Sequence, residues 1–199
     1  METPTVEIEG CRAAHERLAA AIGDVNDAVV RQPSLLPRWT VAHVLTHLAR
    51  NAEAMVRRIE AATLGEVVDQ YVGGAEGRAA EIEAGARRPP DELINDVVSW
   101  SQHLDTTFAS LPDDCWARSV RSVKGDEHPV ALLPFRRWRE VEVHLVDLGI
   151  GFTPADWSQG LVDHAVPRLI ADLSERADPR SLMAWMLGRA SSPNLEAWG

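Results

Sequence analysis

The chain has 199 residues, 45% of them hydrophobic, which is enough for one sizeable core or for a main domain with a small appendage. Its formal net charge of -10 argues against a nucleic-acid backbone or an anionic membrane surface as a partner. The acidic N-terminus, the lack of a long apolar run and two isolated cysteines favour a cytoplasmic protein without a secretory signal, a membrane span or a disulfide framework.

The N-terminal half shows two helical patterns. Apolar residues at three- and four-residue spacing predict a first helix over residues 6–30. The segment QPSLLPR, residues 32–38, interrupts this pattern with two prolines. Thr40 is a suitable N-cap for a second helix that continues to about Ala62, and residues 65–74 then indicate a loop.

The centre of the chain contains two more helical regions and a short extended one. Helical patterns over residues 75–86 and 91–110 are separated by ArgArgProPro, and we interpret them as one long, interrupted leg. Residues 116–129 show short alternation around a Lys-Gly-Asp turn, which indicates a hairpin. Residues 131–149 predict a fourth strong helix, with a proline in its first turn and a glycine at its end.

Four long helices with apolar stripes predict a bundle, because a bundle is the simplest way to bury those stripes. After Gly151, residues 156–176 and 181–189 predict two further helices, the first kinked at Pro167. We therefore predict a mainly α protein, with a helical bundle over residues 1–151 and a short helical appendage over residues 152–199.

Two of the predicted helices carry polar side chains at the border of their apolar faces. His47 lies there on the second helix, and REVEVH places Glu140 and His144 four residues apart, on one face of the fourth. Two imidazoles and a carboxylate suit a divalent metal in a bundle interior, and three protein ligands leave one coordination position open. The same spacing fits solvated or helix-capping residues, so both interpretations stay open.

The other candidate residues have simpler interpretations. His43 falls in the first turn of the second helix, where a histidine often hydrogen-bonds to nearby groups. Four more histidines lack a partner pattern and are interpreted as surface or hydrogen-bonded residues: His15, His103, His128 and His164. The sequence contains no GxSxG, P-loop, GxGxxG or HExxH motif, and neither cysteine has an activating context.

Several stretches resemble the maleylpyruvate isomerase family of mycothiol-dependent enzymes, part of the DinB-like metal-binding four-helix bundle superfamily. They are LPRWTVAHVLTHLARNAE, YVGGAEGRAAEIEAGA, RRWREVEVHLVDLG and the closing AWMLGR and NLEAWG. The resemblance implies a DinB-like bundle and a divalent metal, normally zinc, held by His47, Glu140 and His144. It also implies mycothiol as the thiol cosubstrate.

The resemblance assigns substrate contacts as well. Arg78 and Arg189 match positions that handle the substrate in the isomerase, and a guanidinium fork binds a carboxylate through two hydrogen bonds. The alternatives are a salt bridge for Arg78 and a helix-capping role for Arg189. Longer family members carry β-strands between the last two helices, whereas SERADPRSLMAWMLGR joins them directly here, which leaves the substrate open.

The implied activity is the cis-trans isomerisation of maleylpyruvate to fumarylpyruvate. A metal-activated thiolate would add to the cis double bond, permit rotation about the resulting single bond and leave by elimination. A mycothiol S-transferase acting on another electrophile would share the first step. Outside enzymes, the alternative is a non-catalytic binding or regulatory module.

Overall fold

A computed structural model describes residues 2–195, so the last four residues of the NLEAWG segment lie outside the described part. The chain divides into two compact units, one ending at Trp157 and the other beginning at Ser158. The predicted fold class is confirmed, since the chain is mainly α and its first unit is a helical bundle.

Over residues 2–157, the first unit contains six α-helices, three short 3-10 helices and one hairpin. The helices are α1 (Thr5–Ile22), α2 (Asp27–Val30), α3 (Val41–Thr63), α4 (Gly74–Gly85), α5 (Pro90–Ser110) and α6 (Leu133–Asp147). The hairpin pairs β1 (Ser119–Arg121) with β2 (Glu127–Pro129) in antiparallel register. The bundle consists of α1, α3, α5 and α6, in which α3 and α1 each pack against both α5 and α6.

The apolar stripes of these four helices form the core. Its fully buried side chains come from every helix of the bundle and include Leu18, Ile22, Leu45, Leu48, Ile59, Leu93, Leu104 and Leu145. Burial of each such side chain stabilises the fold by about 1.5 to 3 kcal/mol before the entropy of ordering is subtracted. The bundle therefore holds α3 and α6 side by side, which determines where their polar residues meet.

The long helix α3 begins where the sequence predicts. Thr40 is its N-cap, with extended backbone angles, and forms a capping box with His43. The Thr40 backbone N–H donates to His43 Nδ1 at 3.2 Å, so the imidazole stabilises the first turn of the helix. His43 is thus a capping residue, as its position in the first turn predicts.

The N-terminal prediction is wrong in one respect, because residues 6–30 do not form a single helix. Helix α1 ends at Ile22, and the short α2 starts again at Asp27. The Asn26 side chain accepts a hydrogen bond from the Val29 backbone N–H at 3.1 Å. The apolar spacing continues across this break, but the capping chemistry of asparagine interrupts the helix.

Helices α4 and α5 are two separate elements, contrary to the single interrupted leg that the sequence predicts. Pro89 is extended and Pro90 occupies the first turn of α5, so the two prolines end one helix and start another. Helix α4 packs against α3 instead of extending α5. A Cβ atom on Gly85 would lie 2.4 Å from Thr46 Cγ2, so only glycine permits this close approach.

The predicted hairpin and fourth helix are confirmed. Val120 pairs with His128 across the two strands, and the turn between the strands contains the Lys-Gly-Asp sequence. Pro134 lies in the first turn of α6, and Gly149 ends the helical region with a φ of 70°. The hairpin is joined to α3 by Arg58, whose Nη1 donates to the Arg121 carbonyl at 2.9 Å.

The described part of the second unit, residues 158–195, contains three short helices, α7 (Gln159–Ala171), α8 (Leu173–Arg176) and α9 (Pro179–Met186). The predicted helix over residues 156–176 starts later, because Ser158 caps α7, and it is interrupted at Asp172. Pro167 lies inside α7, as predicted. Among residues 2–195, no helix combines the length and the apolar character needed to cross a bilayer.

Candidate metal centre

Three side chains from two adjacent helices meet at one point of the bundle. His47 projects from the N-terminal half of α3, and Glu140 and His144 project from successive turns of α6. Glu140 Oε1 lies 2.7 Å from His47 Nε2 and 3.5 Å from His144 Nε2. The three candidate ligand atoms all lie within 4.8 Å of one another, so the structure brings together the three residues predicted as ligands.

Asp147 supports one of these histidines. His144 Nδ1 lies 2.9 Å from Asp147 Oδ2. Because a carboxylate only accepts, the proton is on Nδ1, and Nε2 of His144 faces Glu140. A carboxylate behind a histidine fixes the ring and its tautomer in many metal sites. Asp147 was not predicted, although its spacing of three residues from His144 on one helix was available in the sequence.

His47 has a different partner at its second nitrogen. Arg78 Nη2 lies 3.0 Å from His47 Nδ1 and donates to it. A neutral His47 therefore carries its proton on Nε2 and donates it to Glu140. A metal on Nε2 would require the proton on Nδ1, which could then no longer accept from Arg78. Metal binding to neutral His47 and the bond from Arg78 thus exclude each other, and a bound ion would release the guanidinium group.

The site contains two histidines with opposite pKa shifts. Burial, above all, lowers the pKa of His47 to about 4. Burial also acts to lower the pKa of His144, but its hydrogen bonds to Asp147 and Glu140 outweigh this and raise the pKa to about 9. Burial would raise the pKa of Glu140, yet the hydrogen bonds from both histidines hold it well below its ordinary range. At neutral pH the cluster therefore contains neutral His47, ionised Glu140 and protonated His144.

These residues fit a divalent metal. Two imidazole nitrogens and one carboxylate oxygen are ligands that zinc accepts in proteins, and catalytic zinc sites keep a fourth position for water or substrate. The side chains of Glu140 and His144 are 17% and 12% exposed, so the cluster is reached from solvent at its α6 edge. An entering cation would have to displace the His144 proton, which makes metal affinity depend on pH.

Arg78 is held between two aromatic rings at this site. Its guanidinium carbon lies 5.9 Å from the Trp39 ring centroid and 5.7 Å from the Tyr71 ring centroid. The Trp39 ring is also 5.7 Å from the His47 ring. Neither aromatic residue was predicted. Trp39 lies in the turn before α3 and Tyr71 in the loop before α4, and no sequence pattern indicates that these two segments meet.

The loop before α4 determines where Arg78 lies. Gly73 and Gly74 both have positive φ, at 73° and 64°. A Cβ atom on Gly77 would lie 1.9 Å from the Val72 carbonyl oxygen, so the loop can fold over the first turn of α4 only because residue 77 is glycine. Arg78 follows directly and is thereby directed towards His47.

A second cluster with metal-binding side chains has another explanation. Cys11, His15 and Asp105 also offer ligand atoms within 4.8 Å of one another. However, Arg137 Nε donates to His15 Nε2 at 2.9 Å, and a buried guanidinium group both occupies this nitrogen and repels a cation. Burial raises the pKa of Cys11, which keeps the sulfur as a neutral thiol. This cluster is therefore a buried hydrogen-bond network, consistent with the prediction that Cys11 is not a nucleophile.

Arg189, the second predicted substrate residue, belongs to the second unit. It follows α9 and Gly188, which has a φ of 67°, and its side chain is exposed. The structure thus places Arg78 beside the three candidate metal ligands, whereas the predicted role of Arg189 stays a prediction.

The sequence and the fold agree on one family. The model of the mycothiol maleylpyruvate isomerase N-terminal domain matches residues 11–149, and the chain belongs to this family. A crystal structure of a histidine-to-alanine mutant of mycothiol-dependent maleylpyruvate isomerase is 28% identical, with a TM-score of 0.76 over 82% of this chain and 70% of that one.

A second crystal structure, of mycothiol-dependent maleylpyruvate isomerase, has a TM-score of 0.80 and covers 97% of this chain and 94% of that one. Its sequence identity is 23%, so this likeness shows the shared fold. Among curated proteins, none matches the chain significantly. The family model thus shows that the chain is a member of the mycothiol maleylpyruvate isomerase N-terminal domain family, and the two structures show that it shares their helical fold.

Proposed function

We propose that this protein is a metal- and mycothiol-dependent maleylpyruvate isomerase. The observation that carries the proposal is the convergence of His47, Glu140 and His144, whose candidate ligand atoms lie within 4.8 Å of one another, in a chain of this family. The donor set favours zinc. When bound there, the metal would lower the pKa of the mycothiol thiol and supply a thiolate nucleophile.

The residues of the chain itself would bind and orient the substrate. Arg78 is half-buried beside the metal cluster, and its planar fork suits a substrate carboxylate once it leaves His47. Trp39 and Tyr71 restrict the movement of its guanidinium group. Arg189 would contact the second carboxylate or the enolate charge that develops during the reaction.

The ligand assignment is tested by metal content and turnover together. Protein purified without chelators should contain about one zinc ion per chain and convert maleylpyruvate in the presence of mycothiol. His47→Ala and His144→Ala should each lose both the metal and the activity, because each removes one of three ligands. His103→Ala, which removes an exposed imidazole on α5, is the matched control and should retain both.

Different results would point to different functions. Activity retained by either ligand variant would contradict the assigned site. Mycothiol conjugation of an electrophile such as monochlorobimane, without turnover of maleylpyruvate, would identify an S-transferase that uses the same metal-activated thiol. A metal-free protein whose folding and behaviour are unchanged by chelators would indicate a binding module.

A further inference from the structure

Arg137 is a charged side chain with no exposed surface, one turn before Glu140 on α6. Its guanidinium group donates hydrogen bonds to all three other helices of the bundle. The acceptors are His15 Nε2 on α1 at 2.9 Å, the Leu48 carbonyl at 2.9 Å and Asn51 Oδ1 at 3.0 Å on α3, and Ser101 Oγ on α5 at 3.3 Å. A single planar group therefore joins the four helices.

The positive charge of Arg137 is balanced only indirectly. Because Arg137 donates to Nε2 of His15, that imidazole is neutral and its Nδ1 donates to Asp105 Oδ1, at 2.8 Å. A guanidinium group removed from water without a direct carboxylate contact is unfavourable, and apolar residues of similar volume are often at least as stable in such places. What Arg137 does provide is a set of hydrogen bonds that fix the relative positions of the helices.

That geometry concerns the two helices that carry the candidate metal ligands. Leu48 directly follows His47 on α3, and Asn51 lies one turn further along. Arg137 precedes Glu140 and His144 by one and two turns on α6. Its two bonds from Nη1 hold α6 against the turn of α3 from which His47 projects.

From this arrangement we infer that Arg137 is a positioning residue for the metal centre, setting the register of α6 against α3 that places His47 opposite Glu140 and His144. The inference rests on the proposed metal site. A residue that positions the metal ligands must hydrogen-bond to α3 close to His47, as Arg137 does through Leu48 and Asn51. Lysine could not replace it, because an ammonium group cannot reproduce the planar fork.

The test compares two substitutions that each remove one acceptor of the same guanidinium group. Asn51→Ala deletes a bond between α6 and α3, whereas Ser101→Ala deletes a bond to α5, which carries no ligand. Zinc affinity is measured by competition with a chromophoric chelator, and the cobalt(II) absorption spectrum reports the ligand geometry. Urea unfolding of the metal-free variants measures the structural effect separately.

We expect Asn51→Ala to weaken zinc binding about fivefold and to alter the cobalt spectrum, and Ser101→Ala to change affinity less than about twofold at similar loss of stability. Arg137→Lys should weaken binding at least about tenfold. Equal effects of the two acceptor variants on affinity would overturn the inference, even if Arg137→Lys fails to fold. If the unmodified protein binds no zinc, the proposed function fails first, and the inference fails with it.

Discussion

His47 and His144 both contact the Glu140 carboxylate, but their second ring nitrogens have different partners. An arginine donates to the outer nitrogen of His47, whereas a carboxylate accepts from that of His144. Burial acts to lower the pKa of both rings; the arginine adds to this effect at His47, whereas the hydrogen bonds to Asp147 and Glu140 outweigh it at His144. Two histidines that the sequence predicts as equivalent metal ligands thus differ in charge at neutral pH.

This difference predicts how the stability of the metal-free protein depends on pH. The pKa of His144, about 9, exceeds the ordinary 6.5, so the folded chain holds a proton that the unfolded chain releases, and stability falls as pH rises from 6.5 to 9. The pKa of His47, about 4, is depressed, so stability falls as pH drops from 6.5 to 4. Chelated protein should be most stable near pH 6.5. Its free energy of unfolding should fall by roughly 1 to 3 kcal/mol as the pH drops to 4, and by a similar amount as the pH rises to 9.

Urea unfolding of chelated protein between pH 4 and 9 measures both slopes. His144→Asn should remove much of the alkaline decline and leave the acid side in place. Saturating zinc should also flatten the alkaline side, because the ion replaces the His144 proton. An alkaline decline that is identical in the variant would show that another group causes it.

Arg78 should act on substrate affinity through its fork. Arg78→Lys keeps the charge but loses the planar pair of donors, so we expect the KM for the carboxylate substrate to rise about tenfold. Zinc content should stay near one per chain, because Arg78 is not a ligand. Arg87→Lys, at an exposed position just after α4, serves as the control and should match the unmodified enzyme. A change of zinc content without a change in KM would contradict this role.

At the scale of elements, the sequence predicts helices whose apolar residues repeat at helical spacing. It does not predict contacts in which the backbone at a glycine lies close to another part of the chain. The extents of α3 and α6 follow from apolar spacing, a capping threonine and a terminal glycine. The prolines at positions 89 and 90 mark the break between α4 and α5, but the packing of α4 against α3 depends on the close approach of Gly85 to Thr46. Such contacts leave no periodic signal.

Helix α4 offers a test of one such contact. Gly77→Ala would place a methyl group against the Val72 carbonyl, so the first turn of α4 must move, and Arg78 with it. We expect kcat/KM to fall at least about tenfold while zinc content is unchanged. The matched control is Ala79→Gly at an exposed position of the same helix, which lowers helix propensity without a clash. A comparable fall in kcat/KM in both variants would mean that general weakening of α4, not the displacement of Arg78, explains the effect.

In the molecule as a whole, the three candidate ligands could be predicted because each has a helical position and a family motif. The groups around them could not be predicted in the same way. Two aromatic rings, of Trp39 and Tyr71, contact Arg78 at the site, and Arg137 bonds to α3 near His47. These residues lie in different segments of the chain, and only the folded bundle brings them together. Tertiary packing, and not local spacing, determines these neighbours.

The second unit provides a separate test of substrate binding. If Arg189 contacts a substrate carboxylate, Arg189→Ala should raise KM at least about tenfold with little effect on zinc content or on the unfolding of the bundle. Arg180→Ala removes an exposed arginine from the same unit and should leave KM unchanged. If the two variants behave alike, the substrate role of Arg189 is wrong, while the proposed metal site is not contradicted.

The bond between Arg78 and His47 has a consequence for the proposed metal site. His47 is hydrogen-bonded at both ring nitrogens, and Glu140 and His144 carry opposite charges. If the site binds a divalent ion as proposed, the ion would exchange with these hydrogen bonds. Between pH 6.5 and 9, about one proton would then leave for each ion bound.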